Sequence, residues 1–462
     1  MHRKLWVVML GLVGWALITG GRHAGAAPTR LVDVVPDVDA NVTLTAPPAA
    51  SFDISWVDPT TNIYYLADRS NASVDLIDVR SSTFTGRILG FRGVQPAGPG
   101  GGGRSGPNGI VVIQPQNQLW AGDGDSTVKV VDLTKGTIIN TISTSGTNRA
   151  DELAYDAKDG IIVIANDAEP TPFFTFISTI NQTIISQLPY PNTTNGLEQA
   201  VWSPTTGHFY AAIPQSQANP GGEIAELDPT TTPPAFVRAL ALPANCIPHG
   251  LALGPHPNAI VGCSTPAAAN PTLPAGTQII SVILNIVTGA TTTIPQVGGS
   301  DEVWYNPGDN RYYLAANTWT TTGLTGAPLT PVLGIIDAGS NTFVANVPTA
   351  IGAHSVAVDP ANQAAFVPLP NGAIGVFTRA AFTPGAPLAS APAPAAPAAP
   401  AAPAAPAATS SGGGGCALSP GAPWEPTLVG LLVAMGVWLG RHRFRGRRGT
   451  SGEALQSGCP RA

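Results

Sequence analysis

Residues 53–62 read DISWVDPTTN, and the same construction returns six more times. The later copies are NGIVVIQPQN from Asn108, DELAYDAKDG from Asp151, EQAVWSPTTG from Glu198, HGLALGPHPN from His249, DEVWYNPGDN from Asp301 and HSVAVDPANQ from His354. Each opens on a polar side chain, alternates apolar residues through a short run, and turns at a cluster of Pro, Asn, Asp or Gly. The starts lie 55, 43, 47, 51, 52 and 53 residues apart. Alternation with a period of two, bounded by turn formers, is the signature of a half-buried antiparallel strand. Three further runs follow in a full copy: IYYLADRS, SVDLIDVR and FTGRILGF in the first, then LWAGDGDS, TVKVVDLT and IINTIS in the second. Four strands in a period of about 40–55 residues make one propeller blade. The expected fold is all-β, a seven-bladed β-propeller.

Copy seven tests that reading. It runs through HSVAVD, AAFVPL and AIGVFT and then meets a proline-rich stretch without a fourth strand. Residues 30–47, containing LVDVV and NVTLT, precede the first copy with no other structural task. They are predicted to complete blade seven and so join the two ends of the ring. An isolated blade has open edges and buries too little surface to stand alone, which gives this closure its importance.

Composition agrees. Only 11% of the 462 residues are charged, while Gly (52) and Pro (46) are abundant. Many short strands with many turns need this mixture; long surface helices would need more Lys and Glu. Residues 27–411 hold 13 basic against 26 acidic side chains, a net charge of −13. Such a surface repels phosphate backbones, so nucleic acid is excluded as an expected partner.

Both ends read as addresses. Residues 1–26 combine a basic start, an apolar run from Leu5 to Ile18 and the small residues AGA at 24–26, the pattern of a secretory signal peptide. A retained anchor is the alternative, although the run is short for a span. The propeller is expected over 27–380 and an Ala/Pro-rich stalk over 381–411, where repeated proline favours extended polyproline II. Residues 412–448 contain GGGGCAL, EPTLVGLL and an arginine cluster, with a candidate transmembrane segment at 424–440 and a cytoplasmic tail at 449–462. Arginines directly after the apolar run hold that side in the cytoplasm and leave the propeller outside. This tail resembles the bacterial CTERM sorting signals of the JDVT type with a Gly-rich Cys motif. The resemblance implies that Cys416 is a processing or modification site; an ordinary membrane anchor is the plainer reading. The expected location is extracytoplasmic, at a bacterial envelope or surface, tethered through the C-terminus before any processing.

Three loops stand out. PAGPGGGGRSG at 96–106 joins the first two blades and is expected to be mobile. Insertions at 267–276 and 320–330 lie between the second and third strands of blades five and six, on one rim, where loops more often bind than stabilise. Asp123–Asp125 and Asn166-Asp167 read as ordinary turn residues. Trp56, Trp202, Trp304 and Tyr305 fall on alternating strand positions and read as packing between blades.

Cys246 and Cys263 flank the first hairpin of blade five. A disulfide is plausible there in an exported chain, with two buried free thiols as the alternative. A zinc site is disfavoured, since there is no C-x-x-C and no second cysteine pair.

The residues that open the seven copies are Asp53, Asn108, Asp151, Glu198, His249, Asp301 and His354, with Glu152 and Glu302 beside two of them. The first strand of a blade lines the central channel, so these side chains are expected to ring one mouth. Such a ring suits a polar ligand or a divalent cation, Ca²⁺, Mn²⁺ or Zn²⁺. The plainer reading is that they bond the inner-strand backbone and ordered water.

The PNGI and PHGL starts, the VDP and ALGP turns and the D-x-x-T connections resemble YncE-like (YVTN-type) propellers and, more broadly, the gluconolactonase/senescence-marker superfamily. The resemblance covers about residues 30–380. It implies the propeller fold and, through the lactone-hydrolysing members, a channel cation that polarises a carbonyl or activates water. Asp53, Asn108, Glu198 and Asp301 would then be ligands, with His249 or His354 carrying a proton, but the residue types do not match that family blade by blade. No nucleophile elbow and no phosphate-binding loop is present. The expectation is a surface-tethered binding or interaction module for an extracytoplasmic protein or small ligand. The alternative is a divalent-metal-dependent hydrolase working at the channel mouth.

Overall fold

The computed structural model describes residues 42–43, 51–98, 103–264, 273–370 and 372–378. The signal peptide, stalk, sorting signal with Cys416, transmembrane segment and tail expected above lie outside these residues. Among the described residues no helix is long and apolar enough to cross a membrane.

The first copy folds as a four-stranded antiparallel meander, Phe52–Asp58, Ile63–Asp68, Ser73–Asp78 and Thr83–Leu89. Five more sheets repeat it, hydrogen-bonded in chain order, and the seventh is completed from the other end of the chain. There Val42–Thr43 lies antiparallel to Ala373–Phe377, with Val42 opposite Ile374 and Thr43 opposite Ala373. Each inner strand packs on the inner strand of the next blade, and that of blade seven packs on blade one, so the ring is closed. The protein is a seven-bladed β-propeller.

Why the second strands carry apolar residues at consecutive positions follows from this geometry. Tyr64 and Leu66 pack against Ala357 and Phe366 of blade seven, whereas Tyr65 and Ala67, their neighbours in sequence, pack against Ile110 and Leu119 of blade two. A strand's side chains alternate between faces, and both faces of a blade are covered. Seven apolar clusters fill the seven junctions between adjacent blades. Each fully buried Leu, Ile or Phe contributes about 1.5–3 kcal/mol by leaving water.

The turn signal also has a cause. In blade one the Asp58 carboxylate accepts the N–H groups of Thr60 (3.1 Å) and Thr61 (3.2 Å), and in blade three Asp156 does the same for Lys158 (2.8 Å) and Asp159 (3.1 Å). The hairpin then ends on a left-handed residue: Asn62, Asn117, Gly160, Gly207, Asn310 or Gln363 in six of the blades. Asx side chains mimic the turn, and Asn and Gly tolerate positive φ.

Strand pairing sets the two faces of the ring. Phe52, beside the opening residue Asp53, lies opposite Asp68 at the end of the second strand. Loops joining second to third strands, and loops joining successive blades, therefore stand on the face where the copies open. The two insertions meet there. Gly276 N–H donates to Thr325 O and Thr325 N–H to Thr277 O, each at 2.9 Å, and Gln278 bridges Leu324. The loop expected to be mobile is anchored at its described ends. Gly93 and Gly106 exchange backbone bonds of 2.8 and 3.3 Å, and Gly103 O accepts the Arg149 N–H at 2.9 Å.

Candidate functional site

The opening residues stand around one mouth of the channel, and side chains link them into three groups. Arg69, just past the second strand of blade one, pairs with Asp53 and places Nε and Nη2 at 3.0 and 2.7 Å from Asn108 Oδ1. His354 reaches across the closing junction, Nε2 being 3.7 Å from Asp53 Oδ1. Its Nδ1–H donates to Gly352 O at 2.8 Å, and its ring stacks on Phe52 at 4.7 Å. In the second group Arg149 Nη2 lies 2.7 Å from both Asp151 Oδ2 and Asp167 Oδ2. In the third, His249 Nδ1 sits 3.1 Å from Asp301 Oδ1 and 3.7 Å from Glu198 Oε1, so that blade five bridges blades four and six.

Electrostatics follows from this pairing. Burial opposes protonation of His249, but Glu198 and Asp301 outweigh it and raise the imidazole to about 9. His354 is raised to about 9 against the same burial by Asp53, Asp301 and Glu302. Both rings are therefore cations at neutral pH. Asp53 and Asp301 stay below the usual carboxylate range despite burial, the first through Arg69 and His354, the second through His249 and His354. Burial pushes Glu198 up to about 7. The ring is thus a network of ion pairs and not a row of free acids.

One residue further into the channel the surroundings change. Glu152 and Glu302 line a channel of about 320 Å³ together with Gln199, apolar residues including Leu153 and Val303, and Trp56, Tyr155, Trp202, Trp304 and Tyr305. Burial raises both glutamates well above their ordinary value; Glu198 and Glu302 add to this at Glu152, and Asp53 adds to it at Glu302. The Ser355 hydroxyl donates to Glu302 Oε2 at 2.7 Å and lies 2.8 Å from the Ser55 hydroxyl. Glu302 Oε1, also buried, has no hydrogen-bond partner among the described residues.

Several sequence expectations change here. The opening residues bond mainly to other side chains and only in part to backbone, as Asn108 does to Ala150 O at 2.9 Å. Asp167, a turn residue by its sequence, belongs to the mouth, and so do Arg69 and Arg149, which no repeat position marks. A signal existed: in a segment this poor in basic residues, an arginine two positions before Asp151 merited notice. The tryptophans and Tyr305 pack between blades as expected, but they also line the channel. Cys246, three residues before His249, is joined to Cys263 in a disulfide with Cα atoms 4.5 Å apart. Ile247 between them holds φ at +52°, unfavourable for a β-branched residue, and so the strand entry at His249 is imposed by its surroundings.

A Ca²⁺, Mn²⁺ or Zn²⁺ ion fits the mouth poorly. Among the described residues no three His, Cys, Asp or Glu side chains are grouped to hold a metal. Arg69, Arg149 and the two imidazolium groups occupy the positions next to the carboxylates that a metal would need.

The fold and mouth define the class: a seven-bladed β-propeller with an ion-paired channel entrance. No family model matches the sequence, and no curated protein matches it. Among solved structures, it is similar to a chain of Kuenenia stuttgartiensis Hydrazine Synthase, with a TM-score of 0.58 at 14% identity. The alignment covers 73% of this chain and 97% of that one. At this identity the likeness shows the propeller fold alone.

Proposed function

We propose that this chain is an exported, surface-tethered propeller of the YncE-like kind that binds a small ligand or an extracytoplasmic partner at its polar mouth. One observation carries the reading: all seven blades deliver a polar opening residue to the same mouth, on the face that also bears the three longest loops. Loops on a rigid scaffold are where binding residues concentrate, and a concave pocket with a few converging polar groups is the usual ligand site. The signal-peptide and sorting-signal patterns in the sequence support the address. The metal-dependent hydrolase alternative draws less support, because the acids it would use are held by arginine and imidazolium.

A thermal-shift screen of the full-length protein against small polar and amphipathic compounds tests this. A true ligand at one hundred times its Kd stabilises by about 2.7 kcal/mol. That stabilisation should shrink in His249→Gln and Asp301→Asn and survive chelation by EDTA. Hits that ignore both mouth substitutions would refute the proposal.

A further inference from the structure

We infer that the channel takes a small primary amine with an apolar, preferably aromatic, body: the ammonium sits between Glu302 and Glu152, and the body lies along the apolar wall toward Trp56, Trp202 and Trp304. This rests on the binding reading above and specifies its ligand class.

Three independent features point there. The first is a fixed and unused acceptor. Ser355 engages Glu302 Oε2 and the Glu302 backbone N–H is held by His354 O at 3.1 Å, so the carboxyl is oriented, while its buried Oε1 lacks a partner among the described residues. Buried polar atoms are normally bonded, and an orphan at the wall of a channel marks a place for a donor. The second is charge. The cations of the mouth are committed to the outer ring: Arg69 to Asp53, Arg149 to Asp151 and Asp167, His249 to Asp301. The main electrostatic neighbours of Glu152 are carboxylates, Glu198, Glu302, Asp151 and Asp53. Glu302 faces Asp53 and Asp301, with His354 as the opposing cation. A cation entering between the two glutamates relieves this repulsion, and an anion adds to it. The third is shape. Beyond the glutamates the channel is walled by residues such as Leu153, Ala200 and Val303 and ends among aromatic side chains, Trp56 and Trp304 meeting edge to face at 5.3 Å. A volume of about 320 Å³ admits a compact ligand, not a polymer.

Isothermal titration of the full-length protein near pH 7 with 2-phenylethylamine, 2-phenylethanol and 3-phenylpropanoate tests the inference. The amine should bind at least ten-fold more tightly than the alcohol, and the carboxylate should not bind. Tryptophan emission should change on amine addition. Glu302→Gln should weaken the amine ten-fold or more and leave the alcohol unchanged; Trp202→Leu should weaken amine and alcohol alike. Should Glu302→Gln fail to fold, the ranking of the three compounds on the unmodified protein decides. Equal affinity for amine and alcohol, a preference for the carboxylate, or Ca²⁺ or Mn²⁺ displacing the amine would overturn the inference. If amines fail while another screened ligand responds to His249→Gln, the ligand class falls and the binding function stands. If no compound responds to the mouth substitutions, both fall.

Discussion

Raising the pH should loosen this propeller from its channel outward, and His249 supplies the size of the effect. In the folded protein its imidazole holds a proton up to about 9, against the ordinary 6.5 expected when unfolded. The cause is a balance: burial and Arg149 oppose the charge, and Glu198 and Asp301 overcome them. At about 1.4 kcal/mol per pH unit, the gap corresponds to about 3 kcal/mol. Because the folded state binds the proton more tightly, this stabilisation is complete below about pH 6.5 and is lost as the pH rises through about 9. His354 acts in the same direction over the same window. Glu198, raised to about 7, also favours the folded state at lower pH and has lost that contribution above its folded value. Urea titrations of the full-length protein at about pH 6 and about pH 9.5, with His249→Gln beside the unmodified chain, measure the effect. The substitution should cost about 3 kcal/mol at the lower pH and little at the higher, where the native ring is already neutral. An equal loss at both values, or a native protein that gains stability between them, would refute the electrostatic account and leave His249 a packing residue.

Other outcomes follow from the same geometry. Arg149→Met leaves Asp151 and Asp167 buried without their cation and should cost about 3–5 kcal/mol near neutral pH; chemical denaturation beside the unmodified chain checks it. Reducing Cys246–Cys263, or replacing Cys263 with Ser, opens a loop of sequence separation 17 and should lower stability by about 3 kcal/mol, visible as a shifted urea midpoint with and without dithiothreitol. Gly109→Ala would set a methyl 2.6 Å from Glu152 Cα, where blades two and three meet at the mouth, and should destabilise by about 1–3 kcal/mol; Gly136→Ala, at an open turn, should cost less despite its positive φ. Deleting residues 27–47 removes the strand paired with Ala373–Phe377, and light scattering on mild warming should then detect edge-to-edge association absent from the full chain.

How much of this was legible in the sequence depends on the range of the interaction. The seven copies, their strands and their turns are local, since period-two alternation and Asx or glycine turns depend on residues a few positions apart. Hence the repeat alone marks Asp53 through His354 as a ring, and the strand from the N-terminal end belongs to blade seven because a ring with a missing edge demands one. What the ring does electrically was not legible. Arg69 and Arg149 enter it from positions that no repeat marks, and the charge of His249 depends on Glu198 and Asp301, 51 residues before it and 52 after. Likewise, the alternation that reads Trp56, Trp202 and Trp304 as packing is indifferent to whether the partly buried face also borders a channel. The chain alone set the number of blades and the order in which they close. Only the tertiary fold decided which acids pair with a cation at the mouth and which, like Glu302, lie buried at the channel wall with an oxygen lacking a partner among the described residues, because Coulomb energy depends on distance in space and on burial, and neither is a property of a short stretch of sequence.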